Sequence, residues 1–130
     1  MVEGEIPACR RLAALMESGA LEPAPIWSDL GTFDGRPWRG LVDLVVAGLP
    51  CQPYSVAGKR LGDADERAIW PEFIRVISEC RPAVLFLENV PAFGKLFRPI
   101  GERLEQLGYV VEEPEFITAS EVGASHKRER

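Results

Sequence analysis

Cys51 is the first candidate for chemistry in this sequence. It follows an apolar, β-branched run at 42–47 and stands between Pro50 and Gln52-Pro53, so its backbone is restricted on both sides. A thiolate is a competent nucleophile, and the nearby Lys59-Arg60 pair would favour that ionised form. The pattern predicts a nucleophilic cysteine, with a buried structural thiol as the alternative.

Glu88 is the second candidate. It closes another apolar run, Ala-Val-Leu-Phe-Leu at 83–87, where ionising a carboxyl group is costly unless a partner meets it. A carboxyl group in that position is suited to donate or share a proton near neutrality. Two interpretations stay open, a catalytic group and a cap for the following turn. Asn89 could orient Glu88 or bind the backbone.

The elements that position these residues alternate between helix and strand. Apolar spacing and turn residues predict helix, strand, strand, helix, strand, helix and strand at 7–19, 26–28, 42–47, 67–80, 83–87, 99–107 and 109–118. Such alternation is typical of a parallel α/β sheet, in which ligands bind at the carboxyl ends of the strands. Cys51 and Glu88 are both expected at that edge.

Two acidic residues and a basic cluster extend the candidate site. Asp29 follows the short strand at 26–28 and Glu3 lies near the start, and acidic residues at strand ends accept hydrogen bonds from nucleosides in nucleotide-binding sheets. The segment His126-Lys127-Arg128-Glu129-Arg130 is the densest basic cluster. Taken alone, each feature is more typical of solvated surface.

The composition is that of an ordinary globular chain. The 130 residues are 46% hydrophobic and 27% charged, with a formal net charge of -5. No apolar run approaches membrane-spanning length and the N-terminus does not resemble a signal peptide, so we expect a cytoplasmic protein with no membrane partner. Cys9, Cys51 and Cys80 form no CxxC pair, which predicts free thiols and no metal site. The negative charge implies that a DNA substrate would be held mostly by surface elsewhere.

Three segments together resemble the DNA cytosine-5 methyltransferases. Residues 48–55, Gly-Leu-Pro-Cys-Gln-Pro-Tyr-Ser, resemble the family's Pro-Cys-Gln nucleophile loop; 86–90 resemble its Glu-Asn-Val motif, and 126–130 its Gln-x-Arg-x-Arg motif. The three occur in the family's order at compatible separations, and the resemblance spans about 2–130. It implies part of the Rossmann-like α/β sheet of S-adenosylmethionine-dependent methyltransferases.

The resemblance also implies a mechanism on double-stranded DNA. The Cys51 thiolate would add to C6 of a flipped cytosine, which makes C5 carbanion-like. Glu88 would contact the N3 edge and the exocyclic amine, Arg130 would meet O2, and Arg128 would support the loop and the pocket. The remaining residues predicted to contact the substrate are Gln52, Ser55 and Asn89.

The methyl donor implied by the resemblance is S-adenosyl-L-methionine. Glu3 stands where the family places its ribose-binding acid, and Asp29 where it places the residue that meets the adenine amine. Pro50 belongs to the same pocket. Glu5 is an alternative to Glu3, since the two lie so close in the sequence.

The sequence departs from the family pattern in several places. His126 replaces the usual Gln, and Leu49 stands where the family often has Pro or Phe. No Phe-x-Gly-x-Gly loop precedes Glu3, and no target-recognition domain follows. We therefore expect residues 1–130 to be a partial catalytic domain that lacks the first and last strands of the family's sheet. Such a fragment would expose strand edges and apolar faces and be inactive alone.

Three other interpretations stay open. The chain could be one half of a split methyltransferase that a complementing polypeptide completes. It could be a thiol hydrolase in which His126 acts on Cys51, which requires the two side chains to be within hydrogen-bond reach. It could also be a nucleotide-binding α/β module without chemistry, in which case replacing Cys51 by Ser changes nothing.

Overall fold

The computed structural model describes residues 1–50 and 69–121, together with Gly123 and Ser125. These residues form helix α1 (Ile6–Glu17), strand β1 (Leu44–Gly48), helix α2 (Trp70–Cys80), strand β2 (Val84–Glu88) and helix α3 (Gly94–Gln106). Short 3-10 turns occur at Leu30–Thr32, Arg36–Trp38 and Pro91–Phe93. The architecture is a small α/β fold, as the alternating pattern predicts.

Strands β1 and β2 form a parallel pair. The register runs from Leu44 opposite Val84 to Gly48 opposite Glu88. Both strands therefore end at the same edge, and α2 lies between them in the sequence as the crossover element of a parallel pair requires. The predicted strands at 42–47 and 83–87 are confirmed to within two residues. Cys51 itself lies outside the described residues.

One face of the strand pair covers the core. Its half-buried side chains, among them Val45 and Leu87, pack against a buried cluster from α2, α3 and the turn before α3. Ile77 in the middle of α2 is fully buried, at 0% exposure. The buried members of the cluster are Trp70, Phe73, Ile77, Phe93, Ile100 and Leu104. This packing holds α2 against one face of the strand pair.

The opposite face of the strand pair is exposed to solvent. Leu44, Val46, Val84 and Phe86 alternate with the core residues and are 52%, 64%, 55% and 59% exposed. Parallel sheets are ordinarily covered on both faces, because their crossovers place helices there. Helix α1 buries none of its own residues. The expected exposure of apolar sheet surface is therefore found in the described part of the chain.

The predicted strand at 26–28 is reduced to one bridge. Val2 and Trp27 form an isolated parallel bridge through two backbone hydrogen bonds of 2.9 Å. Next to the bridge, the Met1 ammonium donates to the Pro25 carbonyl at 2.8 Å, whereas Pro23 and Pro25 have no N–H to donate in return. The N-terminal segment is thereby held against the residues that lead to Asp29.

Two other predictions need correction. Helix α3 begins at Gly94 and not near residue 99, because the turn Pro91–Phe93 runs directly into it; Pro99 is accommodated in the helix interior. Residues 109–117 are not assigned to a strand, although their sequence has a strand pattern. A strand needs an edge to pair with, and β2 pairs with β1 alone among the described strands.

The remaining helices agree with the sequence pattern. Helix α1 begins one residue earlier and ends two residues earlier than the predicted 7–19, and it carries Pro7 in its first turn. Helix α2 begins at Trp70 with Pro71 in its first turn, where a missing N–H costs nothing. The predicted start at 67 lies outside the described residues. Arg81 ends α2 in the left-handed region at φ 55°.

Candidate active site

The carboxyl ends of the two strands bring Glu88 against Gly48. The two residues are opposite each other in the register, and a Cβ built on Gly48 would lie 3.3 Å from Glu88 Oε2. The Glu88 side chain is half-buried and lies over the end of β1. That end, Gly48, is three residues before Cys51 in the sequence. Only a residue without a side chain leaves this carboxylate its full space.

Asn89 ties the two strand ends together. Its side-chain Nδ2 donates to the Leu49 carbonyl across 3.0 Å, and its Oδ1 accepts the Val90 backbone N–H at 2.9 Å. Of the two roles left open by the sequence, the structure gives Asn89 the backbone-binding one. The segment Leu49-Pro50 that leads to Cys51 is therefore fixed by the residue that follows Glu88.

A groove beside β1 brings together the three residues predicted to contact the donor. It has a volume of about 950 Å³ and is lined by Glu3, Asp29 and Pro50. Its walls come from the N-terminal segment, the segment around Asp29, strand β1 and helix α2. Residues far apart in the sequence thus converge on one concave surface, next to the strand ends that carry Glu88.

Each of the two acidic residues in the groove already accepts one backbone hydrogen bond. Glu3 Oε1 accepts the Glu5 N–H at 2.9 Å, and Asp29 Oδ1 accepts the Gly31 N–H at 2.8 Å. Each carboxylate has a second oxygen that accepts no hydrogen bond from the described residues, and carboxylate oxygens accept from hydroxyl and amine groups. Glu5 also lines the groove, so it stays an alternative to Glu3.

Aromatic rings line the groove next to Asp29. Phe33 lies between Trp27 and Trp38, with centroid distances of 6.1 Å in an edge-to-face pair and 6.3 Å in a stacked pair. Trp27 and Trp38 are 48% and 41% exposed. The Trp27 indole N–H donates to Thr32 Oγ1 at 3.1 Å, which fixes that ring beside the turn.

Arg75 of α2 is a residue that the analysis of motifs did not identify. Its guanidinium contacts the turn after Asp29 and two carboxylates of its own helix. The donor–acceptor distances are 2.8 Å to the Leu30 carbonyl, 3.1 Å to the Gly31 carbonyl, 2.9 Å to the Phe33 carbonyl, 2.8 Å to Glu72 Oε2 and 3.0 Å to Glu79 Oε2. The hydrogen bond with Glu72 and the charge of Glu79 raise the pKa of Arg75 above its ordinary value. Acidic residues three before and four after an arginine were the available sequence signal.

Several predicted site residues lie outside the described part of the chain. They are Cys51, Gln52, Ser55, Arg128 and Arg130, and His126 is outside it as well. Within the described part, Cys9 and Cys80 are free thiols, and burial raises the pKa of Cys80. The described residues include no group of three or more His, Cys, Asp or Glu side chains placed to hold a metal ion. None of the described helices combines the length and the apolarity that a membrane span requires.

Comparison with known proteins identifies the chain's family. The model of the C-5 cytosine-specific DNA methylase family matches residues 25–130. The chain belongs to that family. Among curated relatives, the type II methyltransferase M.NgoMIV of Neisseria gonorrhoeae is 37% identical in an alignment 115 residues long that covers 82% of this chain and 36% of the relative. The type II methyltransferase M.Eco47II of Escherichia coli is 36% identical in an alignment 116 residues long that covers 82% of this chain and 28% of the relative.

Membership of the C-5 cytosine methylases agrees with the fold and with the resemblance seen in the sequence. The parallel pair with its helices is a partial methyltransferase sheet of the Rossmann-like kind. The chain spans roughly a third of the length of the relatives it matches. The C-5 cytosine methylase match extends over all three sequence motifs, including the two that reach outside the described residues.

Proposed function

We propose that residues 1–130 form part of the catalytic domain of a DNA (cytosine-5-)-methyltransferase. The observation that carries this proposal is the convergence at one sheet edge, in a chain of this family, of the segment leading to Cys51 with Glu88 and Asn89. The groove with the two acceptor carboxylates lies directly beside that edge. The substrate would be a cytosine flipped out of double-stranded DNA.

The groove fits S-adenosylmethionine by the chemistry of its side chains. Glu3 would accept hydrogen bonds from the ribose hydroxyls and Asp29 from the adenine amine, and each has an oxygen left for this purpose. Pro50 and the Phe33 ring, which both line the groove, offer apolar surface to the nucleoside. When bound, S-adenosylmethionine supplies an electrophilic methyl group.

The protein's own residues would prepare cytosine C5 as a nucleophile. The Cys51 thiolate forms a bond to C6, and the electron pair of the C5–C6 double bond moves into the ring. Glu88 stabilises the resulting negative charge at the N3 edge and holds the exocyclic amine, and Arg130 stabilises charge on O2. After methylation a base removes the C5 proton, and the returning electron pair expels the Cys51 thiolate.

The other proposed residues hold the loop and the base. Arg128 supports the nucleophile loop, and Gln52 and Ser55 contact the substrate. Asn89 serves the substrate site through its bond to the Leu49 carbonyl, which fixes the start of the loop. We propose that the glycine loop for the donor and the region that reads DNA sequence lie on further segments, on the same or on a complementing polypeptide. The 130 residues alone are expected to be inactive, and a cytoplasmic location remains a proposal.

Covalent trapping tests this function. We would replace the matching segment of M.NgoMIV by this chain and incubate the chimaera with S-adenosylmethionine and long DNA in which 5-fluorocytosine replaces cytosine. Fluorine at C5 blocks the final elimination, so the proposed chemistry leaves the protein covalently bound to DNA. The expected result is trapping that Cys51→Ser abolishes and that the control Cys9→Ser retains. Trapping that persists in Cys51→Ser would contradict the proposal, and so would a folded, DNA-binding chimaera that is not trapped.

A further inference from the structure

The turn that carries Asp29 is closed at both of its ends. Asp29 Oδ1 accepts the Gly31 N–H at the start of the turn Leu30–Thr32. Along the turn and at its C-terminal end, Arg75 donates to the carbonyls of Leu30, Gly31 and Phe33, with distances of 2.8 to 3.1 Å. The Leu30 carbonyl also accepts the Phe33 N–H at 3.2 Å, so Arg75 adds a second hydrogen bond there. One carboxylate and one guanidinium therefore bind the backbone of this turn.

We propose that Arg75 is a positioning residue for the donor site. It holds this turn on α2 so that Asp29 presents its second oxygen to the groove. The choice of ligand rests on the proposed function, because Asp29 is assigned there to the adenine amine of S-adenosylmethionine. The contact between Arg75 and the turn rests on the described geometry alone.

A guanidinium is suited to this task and an ammonium is not. Arginine has five N–H donors in a planar fork, and here they reach two helix carboxylates and three backbone carbonyls at once. Lysine in the same place would keep the positive charge beside Glu72 and Glu79 but could not span the turn. We call the hydrogen bonds by which Arg75, paired with Glu79, holds the turn on α2 the clamp. Arg75→Lys thus removes the clamp while it preserves the charge balance of α2.

Glu79 supplies a second attachment of the same segment to α2. Its Oε2 accepts the Gly35 N–H at 2.8 Å, and it is also paired with Arg75. A Cβ on Gly35 would lie 2.8 Å from Cys80 Sγ, so the backbone there is pressed against the helix. By contrast, the sheet side of the segment is held by the isolated bridge at Trp27. Helix α2 is therefore the main support of the turn among the described residues.

The first experiment measures the clamp in the full 130-residue chain. NMR would follow solvent exchange of the backbone amides in the wild type and in Arg75→Lys. We expect the Gly31 and Gly35 amides to exchange about fivefold faster in the variant, which is the effect of losing roughly 1 kcal/mol of local stability. The amides of α3 should be unchanged. Unchanged exchange at Gly31, or an equal rise throughout the chain, would overturn the positioning role.

A matched control keeps that result specific. Arg98→Lys makes the same chemical change on α3, where Arg98 is 90% exposed and lies 3.6 Å from Glu102. It should leave the exchange of both glycine amides at the wild-type rate. If it accelerates them as much as Arg75→Lys does, the effect is not a property of the clamp and the inference fails.

The second experiment connects the clamp to the donor. In the M.NgoMIV chimaera, calorimetry would compare binding of S-adenosylhomocysteine with binding of its 6-deamino analogue, in which hydrogen replaces the adenine amine. We expect the wild type to prefer the amine by about tenfold, the effect of one hydrogen bond to a charged group. Arg75→Lys should lose part of this preference, and Asp29→Ala should lose all of it. A variant that is merely less stable would weaken both ligands equally.

The possible failures are distinguishable. If the wild type prefers the amine and Arg75→Lys keeps the full preference, Arg75 does not position Asp29 and the inference is overturned. If the wild-type chimaera binds both nucleosides equally, the assignment of Asp29 in the proposed function is wrong. The donor role of Arg75 then falls with it, while the amide exchange still decides whether Arg75 holds the turn.

Discussion

The side-chain amide of Asn89 donates to the Leu49 carbonyl across 3.0 Å and joins the ends of two strands that are far apart in the sequence. Its own oxygen accepts the Val90 N–H, so both halves of the amide are used. An amide fits this place, because its NH2 group donates to one backbone group while its separate carbonyl oxygen accepts from another. The segment that leads to Cys51 is therefore held by a side chain of the neighbouring strand end.

Replacement of Asn89 by Asp should weaken both the fold and the site. The carboxylate cannot donate to Leu49, and it places a negative charge beside that carbonyl, so the free energy of unfolding should fall by about 1 to 3 kcal/mol. Urea denaturation of the chain measures this loss, and trapping in the chimaera should slow. Gln106→Glu, the same change on the last residue of α3, is the control and should cost less than about 1 kcal/mol, the effect of a negative charge at a helix C-terminus. Equal midpoints for Asn89→Asp and wild type would refute the role of this hydrogen bond.

A methyl group at position 48 should disturb Glu88 without unfolding the protein. The added Cβ of Gly48→Ala would lie 3.3 Å from Glu88 Oε2, so the carboxylate must shift by a few tenths of an ångström. We expect a loss of about tenfold in the trapping rate, since small misplacements of catalytic groups are costly. Unfolding should change by less than about 1 kcal/mol. Gly94→Ala, whose Cβ would meet Phe116 Cζ at 3.8 Å away from the groove, is the matched control. A trapping rate equal to that of the control would show that Glu88 has room to spare.

A side chain at Gly35 should be costly for stability. The Cβ of Gly35→Ala would approach Cys80 Sγ to 2.8 Å, Glu79 Cβ to 2.9 Å and the Val76 carbonyl to 3.0 Å. These atoms belong to a packed helix and cannot all give way, so we expect a loss of about 1 to 3 kcal/mol in thermal or urea unfolding. The backbone conformation itself is ordinary for alanine, with φ of -81°. A stable Gly35→Ala variant would mean that the segment can separate from α2, which the clamp does not allow.

Glu79 should make the protein sensitive to acid. The backbone hydrogen bond from Gly35, together with Arg75, holds the pKa of Glu79 below its ordinary value of 4.5. A carboxylate whose pKa is lowered by folding stabilises the fold fully above its unfolded value and loses that contribution as the pH falls through the folded value. The difference in unfolding free energy between wild type and Glu79→Gln should therefore be largest above about pH 5 and shrink towards pH 3. Urea titrations at a series of pH values measure it.

The control for the pH series is Glu105→Gln, at an exposed carboxylate of α3 that makes no hydrogen bond with the described residues. Its difference from wild type should stay small at every pH. A difference for Glu79→Gln that is the same at pH 7 and pH 3 would show that the carboxylate's charge does not matter to the clamp.

Local sequence was sufficient for the elements that bury one face. Apolar patterns in the sequence predict β1, β2 and α2, because side-chain burial repeats with a fixed period in strands and helices. The segments at 26–28 and 109–118 have equally good strand patterns. Pairing, however, depends on a free strand edge in the right place, and that edge is not encoded in the segment itself. For the same reason the bare face of the sheet followed from the family's strand order and not from residue spacing.

The candidate site also has a part that the sequence could predict and a part that it could not. Glu88 and Asp29 could be selected from their positions after predicted strands, and Glu3 from its place near the start of the chain and from the family resemblance. The supporting contacts could not, because they join residues far apart in the sequence. Asn89 and Leu49 are 40 positions apart, and Arg75 and Leu30 are 45 positions apart. Nothing in the local sequence around Arg75 indicates that its guanidinium donates hydrogen bonds to backbone carbonyls of a distant segment.

The contacts between Arg75 and the turn involve only main-chain oxygens of Leu30, Gly31 and Phe33. Every amino acid has that oxygen, so the attachment does not depend on which side chains the turn carries. The turn can therefore accumulate substitutions over evolutionary time and keep its place on α2, provided that the arginine persists. The side chains that line the groove can therefore change while the position of the turn stays the same, because Arg75 holds the turn through backbone atoms.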